Sequence, residues 1–342
     1  MQKKILIAAG GTGGHLFPAT QLADELSDFQ ILFAGHKLHT SSFFQKERFP
    51  YVETCSAPLG LRCFPPLWKG YRESRELLDS FAPDLVIGFG SYHTFPLLLA
   101  AALSERKLLL FEANRVLGRV NRLFAKRASA IAVQFPLNHK KALPVSWLPW
   151  AEAKKKRISQ KEALLHYGLD AQKKTLLVFG GSQGARFLNE KAPLLLAPFH
   201  KEWQVLHFTG GSSEKIRAHY DRLNISAYVC PFEQEMWRAY SAADLALCRS
   251  GGGTVAELAH FGLPALLIPY PFATENHQSK NGDYLVQRGL ALQLPQEAAS
   301  LERLTAEFRL LCIRAEAMRQ RFFREEIPRI PFAEHCRKEL SQ

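Results

Sequence analysis

Short apolar runs alternate along this chain with longer segments whose apolar residues recur every three or four positions. The runs at 4–9, 30–34, 84–88, 107–111 and 129–134 are apolar almost without interruption, the pattern of strands buried on both faces. Between them, 16–27, 70–81, 95–103 and 116–126 carry helical spacing; in the first, Leu16, Ala19, Leu22, Ala23 and Leu26 share one stripe. The second half repeats the plan, with strands predicted at 175–179, 204–208, 226–230, 244–248 and 265–268 and a helix at 255–261. Such alternation predicts parallel sheets with right-handed crossovers.

Where the first strand ends, residues 7–15 read IAAGGTGGH. The two common phosphate fingerprints do not fit. G-x-G-x-x-G begun at Gly11 needs glycine at 16, where Leu16 stands, and no Gly-Lys-Ser/Thr triplet follows. Gly10, Gly11, Gly13 and Gly14 still let the backbone turn tightly against a bulky polar group, and the helix they open favours an anion at its free N–H groups. The pattern returns as Gly180-Gly181-Ser182-Gln183-Gly184, again after an apolar run and before a helix. A third turn, Ser250-Gly251-Gly252-Gly253-Thr254, follows DLALC.

The fold class these features predict is α/β: two doubly wound parallel-sheet domains, residues 1–150 and 151–342. The boundary is expected near 149–160, where Pro149 precedes a polar run, with the last helix placed to pack back on the first domain. Sheets of this kind bind ligands beyond the carboxyl ends of their strands, so the domains are expected to face one another across a shared cleft.

Composition narrows the function. With 342 residues, 47% hydrophobic and 22% charged, the chain has the core of a globular protein. It has no apolar stretch of the roughly 20 residues that a membrane span needs. Only 5–9 follow Lys3 and Lys4 as an apolar run, too short for a signal peptide, which predicts a cytosolic location. The six cysteines form no CxxC and read as free, mostly buried thiols; neither HExxH nor D-x-D occurs, so nothing calls for a catalytic metal or cofactor. The net charge of +12 is spread over both halves, 18 Lys and Arg against 11 Asp and Glu in 1–150 and 26 against 21 after it. That sign suits a phosphorylated substrate or an anionic lipid surface. Nucleic acid is disfavoured, because aromatic residues do not interleave with the basic ones.

Individual residues carry two readings each. Glu257, three residues after Thr254, is either a capping-box glutamate or an acceptor for a ribose diol. His15 either bonds locally at the helix start or acts as a general base beside an anion site. Arg115, Arg119, Arg122 and Lys126 fall on one helix face opposite Val116, Val120, Leu123 and Phe124, a solvated surface helix or an attractor of anionic membrane or diphosphate. Residues 57–69, APLGLRCFPPLWK, place Leu61, Phe64 and Trp68 among cations and prolines, either a buried loop or a surface loop suited to an interfacial anchor or a lipid-tail groove.

Taken together, GGTGGHLFPA (10–19), GFGSYHTFP (88–96), NRVLGRVNRLFAKRA (114–128), FGGSQGARFLNE (179–190) and CRSGGGTVAELAHFGLPALLIPYP (248–271) resemble the MurG-type enzymes of glycosyltransferase family 28. The resemblance covers nearly the whole chain. It implies a GT-B fold and metal-independent, inverting transfer of GlcNAc from UDP-GlcNAc to undecaprenyl-diphosphate-linked muramoyl-pentapeptide (lipid I), giving lipid II for peptidoglycan. The acceptor and an anionic membrane surface would fall to the N-terminal domain and UDP-GlcNAc to the C-terminal one. The implied location is the cytoplasmic face of the bacterial inner membrane, with other wall-synthesis proteins as further partners. By resemblance, Glu257 holds the ribose hydroxyls; Ser182, Gly252, Gly253 and Thr254 meet the diphosphate; Gln278 and His277 read the sugar; Asn114 adds a contact from the other domain; and the segment with Phe232 and Glu233 lines the uracil. Thr12, Gly13 and Gly14 would face the acceptor diphosphate, with His15 as candidate base and His93 and Glu112 in reserve.

Two segments depart from the family pattern. Phe111-Glu112-Ala113-Asn114 stands where His-Glu-Gln-Asn is usual, and Leu148-Pro149-Trp150-Ala151 where Asn-Pro-Val-Arg is usual, so that an arginine is missing; Lys154, Lys155, Lys156 and Arg157 are the nearest substitutes. The alternatives are a GT-B transferase with another lipid acceptor and a degenerate membrane-docking scaffold.

Overall fold

A computed structural model of the chain describes residues 2–58, 64–146, 148, 158–181, 183–324 and 330–341. They form two compact units, Met1–Ala151 with Pro328–Gln342, and Glu152–Ile327.

The first unit is a seven-stranded parallel sheet of β1 (Lys4–Ala8), β2 (Gln30–Gly35), β3 (Tyr51–Glu53), β4 (Leu85–Gly88), β5 (Lys107–Glu112), β6 (Ala130–Val133) and β7 (Ala142–Pro144), in the order β3-β2-β1-β4-β5-β6-β7. Its helices are α1 (Gly13–Glu25), α2 (Phe64–Phe81), α3 (Phe95–Ala102) and α4 (Arg119–Phe124). In β1, Ile5 and Ile7 enter the core on one face with Leu16, Phe33 and Phe111, while Leu6 and Ala8 enter the other with Leu97, Leu98 and Leu110. Burial on both faces is why the strand runs are continuously apolar.

The second unit repeats the order. β8 (Lys174–Phe179), β9 (Trp203–Phe208), β10 (Ala227–Cys230), β11 (Leu245–Cys248), β12 (Ala265–Leu267) and β13 (Ala291–Gln293) lie as β10-β9-β8-β11-β12-β13, all parallel. With them run α5 (Gln160–His166), α6 (Arg186–Leu196), α7 (Glu214–Arg222), α8 (Met236–Ala242), α9 (Gly252–Phe261), α10 (His277–Gln287) and α11 (Leu301–Arg324). The last helix, α12 (Phe332–Ser341), belongs to the first unit: Phe332 stacks on Phe111 at 5.6 Å and Arg337 pairs with Asp28 at 2.8 Å.

In each unit the strand order reverses beside the first strand, between β1 and β4 and between β8 and β11. Ligands of doubly wound sheets bind at that switch point.

Four local expectations need correction. The three-residue strands β3, β7 and β13 were not predicted: they are edge strands and only partly buried, so unlike β12, equally short but buried throughout, they show no apolar run. Residues 64–69 are the opening of α2 rather than a loop, since Pro65 and Pro66 fit a first turn where no N–H is needed. Both α1 and α9 start on glycines, three residues ahead of their apolar stripes. Finally, α4 spans only Arg119–Phe124, so Arg115 and Val116 precede it and Leu123, 59% exposed, faces outward with the cations.

Candidate active site

At the switch point of the first unit, the turn after β1 meets the turn after β4. Gly11 takes φ +92°, and a Cβ there would lie 3.0 Å from the ring of His93; one on Gly13 would strike the ring of Phe17 at 2.5 Å. Thr12 is the N-cap of α1 in extended conformation, yet its side chain makes no capping bond. The first turn of α1 therefore keeps its orphan N–H groups uncapped by side chain, beside the exposed Thr12 and Gly14.

His15 sits in that first turn. Its Nδ1 lies 2.8 Å from the carbonyl oxygen of Phe89. A carbonyl only accepts, so Nδ1 carries the proton and the neutral ring has its lone pair on Nε2, the form a general base needs. His93 is spent differently: Nδ1 donates to the His36 carbonyl at 3.2 Å, and the ring stacks on Tyr92 at 4.1 Å and on His36 at 5.7 Å. Burial lowers its pKa, helped by charge at His36, His15 and Lys37. It walls the glycine turn.

Glu112 is not placed as a base. It is 4% exposed at the end of β5, and both carboxylate oxygens accept N–H donors: Oε1 from the backbone and amide of Asn114 (3.1 and 3.0 Å), Oε2 from Gly118 (2.8 Å) and Asn121 (3.1 Å). It holds the loop ahead of α4 and orients the amide of Asn114.

In the second unit the turn after β8 uses Gly181 (φ +85°) and Gly184 (φ +69°), where a Cβ would come within 2.1 Å of the Thr209 carbonyl. Ser182 lies outside the described residues. After β11, Gly251 is the N-cap of α9 (φ −62°, ψ 154°), again without a side-chain bond. Gly252, Gly253 and Thr254 form the first turn, and a Cβ on Gly253 would meet nothing within 4 Å. This N-terminus has room for a ligand.

The cap position settles one alternative for Glu257. A capping-box glutamate stands three residues after the cap, where this helix has Thr254; Glu257 stands a turn further on. Its Oε2 accepts the hydroxyl of Tyr240 at 2.5 Å. Tyr240, on α8, escaped the sequence reading because nothing in its spacing links it to α9.

Gln278 accepts the Tyr270 N–H on Oε1 at 2.9 Å, which commits the amide's carbonyl end and leaves it a donor toward any ligand; its own backbone carbonyl accepts Ser250 Oγ at 2.8 Å. His277 opens α10 with Nδ1 on the Thr274 carbonyl at 2.9 Å, behind Glu275 and Asn276, both in left-handed backbone (φ 55° and 54°). Paired left-handed residues store strain of order 1–3 kcal/mol each, a cost found where a loop must present a ligand contact. Phe232 is half-exposed, but Glu233 is occupied, accepting Tyr167 Oη at 3.1 Å and the Glu235 N–H at 2.8 Å; it fixes the 232–236 loop rather than facing a ligand. Asn281 and Arg249, also missed, are buried supports: the amide of Asn281 donates to the Ser250 carbonyl, and Arg249 to the carbonyls of Ile268 and Pro269.

On the first unit's surface, Phe64 (73% exposed), Trp68 and Tyr71 stack in a ladder along α2, at 6.4 and 5.6 Å. Leu61 lies outside the described residues. Arg119 and Arg122 are exposed on α4, with Arg122 donating to the Leu117 carbonyl. Among the described residues, no helix is long and apolar enough to cross a membrane, and no group of three or more His, Cys, Asp and Glu is arranged to hold a metal ion.

The chain matches the glycosyltransferase family 28 N-terminal domain over residues 5–133 and the family 28 C-terminal domain over 175–323. It is 36% identical over 336 residues to the UDP-N-acetylglucosamine--N-acetylmuramyl-(pentapeptide) pyrophosphoryl-undecaprenol N-acetylglucosamine transferase of Protochlamydia amoebophila (strain UWE25), covering 91% of this chain and 88% of that one. It is 34% identical over 308 residues to the protein of the same name from Thermodesulfovibrio yellowstonii, covering 84% and 83%. The crystal structure of Acinetobacter baumannii MurG superposes with a TM-score of 0.76 at 25% identity, over 99% of both chains. Two doubly wound units in this order make the GT-B architecture, and with both domain matches in sequence the chain belongs to glycosyltransferase family 28.

Proposed function

We propose that this chain transfers GlcNAc from UDP-GlcNAc to the 4-hydroxyl of the muramoyl residue in lipid I, giving lipid II, as the names of its relatives describe for them. The observation that carries the proposal is the matched pair of switch points. One sets a side-chain-uncapped helix beside an imidazole fixed in its basic tautomer, and the other sets such a helix beside an anchored carboxylate.

In this reading the C-terminal domain binds the donor. Glu257 accepts the ribose diol, the N–H groups of Gly252–Thr254 and the turn holding Ser182 meet the diphosphate, Gln278 donates to a sugar hydroxyl, and the loop at Phe232 lines the uracil. The N-terminal domain binds the acceptor, its diphosphate at Thr12, Gly13 and Gly14. His15 Nε2 takes the proton from the 4-hydroxyl as that oxygen attacks the anomeric carbon; the bond to the UDP oxygen breaks, and the configuration inverts from α to β. UDP leaves with charge growing on its diphosphate, which the helix N-terminus stabilises. The exposed rings of Phe64 and Trp68, backed by the partly buried Tyr71, together with Arg119 and Arg122 suit peripheral attachment to an anionic membrane at its cytoplasmic face.

The test is to incubate the purified protein with labelled UDP-GlcNAc and a soluble-tailed lipid I analogue, with EDTA present. Labelled disaccharide that requires the acceptor and vanishes in Glu257→Ala is expected. Donor binding without product, in the unsubstituted chain, would remove the transferase reading and leave the scaffold.

A further inference from the structure

The second unit buries the phenol that anchors Glu257, and the proposed function gives that phenol no role of its own. Tyr240 is 3% exposed, stacked on Phe261 at 5.0 Å and met edge-on by Phe179 at 5.8 Å. A buried hydroxyl must find a partner, and this one bonds Oε2 of Glu257 at 2.5 Å. Phe261 follows Glu257 by one turn of α9, so one helix supplies both the ring that grips Tyr240 and the carboxylate that Tyr240 grips. Phe179 ends β8 and leads directly into Gly180. The phenol thus links α8, α9 and the strand end from which the glycine turn departs.

We infer that Tyr240 is a positioning residue for the donor: its hydroxyl holds the Glu257 carboxylate in the orientation that accepts a ribose diol, so that preference for ribonucleotides over 2′-deoxyribonucleotides depends on it. This rests on the assignment of Glu257 to the ribose. A glutamate has three side-chain torsions to immobilise on binding, and an anchor made within the protein removes that cost from each binding event. The anchor is compatible with the task. The phenol donates to Oε2, and a diol is a donor as well, so both ask the carboxylate for the same acceptor role. An O–H···O⁻ bond of this length is of the charge-assisted kind, the strongest hold a neutral side chain exerts on a carboxylate. Burial and the neighbouring Glu257 charge push the Tyr240 hydroxyl well above its ordinary pKa, and burial does the same to the Cys248 thiol beside them. The phenol stays a donor, and neither group becomes an anion facing Glu257.

Titration calorimetry of UDP and 2′-deoxy-UDP against the unsubstituted protein, Tyr240→Phe and Glu257→Ala tests this, with a thermal melt of each. Phenylalanine keeps the ring and both aromatic contacts and removes only the donor. The unsubstituted protein should prefer UDP. Tyr240→Phe should weaken UDP about tenfold, the scale of one charge-assisted bond, and leave 2′-deoxy-UDP within about twofold. Equal weakening of both nucleotides, or of neither, would overturn the inference and reduce Tyr240 to a packing residue. Retained preference for UDP in Glu257→Ala would instead remove the ribose assignment, and this inference with it. If Tyr240→Phe binds neither nucleotide, Phe261→Leu decides, since it loosens the ring and keeps the hydroxyl. A reduced preference there supports the positioning role, and an unchanged one overturns it.

Discussion

The two units share a strand order and a helix that starts on glycine after an extended cap, and they differ in what stands behind that start. In the first, an imidazole comes three residues after the cap, Thr12 to His15; in the second, a carboxylate comes six residues after it, Gly251 to Glu257. Each side chain is held from outside its own helix, His15 by the carbonyl of Phe89 and Glu257 by the hydroxyl of Tyr240. The scaffold supplies the same anion-favouring terminus twice. On the proposed reading, the role of each terminus is set by one side chain within two turns of it and by one bond that aims that side chain.

That division of labour is most exposed at His15. With alanine there, kcat of the transfer should fall about 10²–10³-fold, the scale of a lost general base, while the dissociation constant of UDP stays within about twofold. Steady-state kinetics beside UDP titration give both numbers. A matching loss of UDP affinity would break the comparison, because it would place His15 in the donor site.

Much of this arrangement was legible in the sequence. Strands buried on both faces announce themselves as runs, which is how β1, β4, β5, β8, β9, β11 and even the three-residue β12 could be placed; the edge strands β3, β7 and β13 are only partly buried and carry no such signal. The glycine clusters marked the turns but hid the helix starts, because glycine reads as a breaker while a first turn tolerates it well. The prolines at 65 and 66 misled in the same way. Glu112 and Glu233 look alike in sequence to any acidic ligand contact. Only the four N–H groups around the one, and the Tyr167 hydroxyl and Glu235 N–H around the other, show that they brace loops. Tyr240 could not be found at all, since its partner lies 17 positions away on another helix.

Acid should separate the units further. His207 in β9 is fully buried, bonded to Tyr220 Oη at 2.9 Å and Asn189 Oδ1 at 3.0 Å, and burial pushes its pKa down to about 3. The unfolded chain, with a histidine pKa near 6.5, binds that proton first. The stabilisation is therefore complete above pH 6.5 and is lost as pH falls toward 3, at about 2 kcal/mol between pH 7 and pH 5. The first unit's shifted histidines, His93 and His335, are only half-buried and move less. Hydrogen exchange at pH 7 and pH 5 should show β8 and β9 losing more protection than β1 and β4, and His207→Gln should flatten that pH dependence. Equal loss in both units would erase the distinction.

The smallest expected effect concerns the surface. Exposed aromatic residues occur in both units, Phe64 and Trp68 in the first and Phe272, 80% exposed, in the second. The first unit also presents exposed Arg119, Arg122, Lys126 and Arg127 around Leu123. If attachment to anionic lipid needs cations as well as rings, binding to phosphatidylglycerol-containing vesicles should weaken about fivefold for each of Arg119→Gln and Arg122→Gln, and should fall with added salt. Trp68→Ala should weaken it through the lost ring, by an amount that salt does not change. Phe272→Ala should leave it unaltered. Vesicle sedimentation across these four variants reads the comparison directly: an effect of Phe272→Ala as large as that of Trp68→Ala would mean that exposed rings alone suffice and that the basic face of α4 has no part in the attachment.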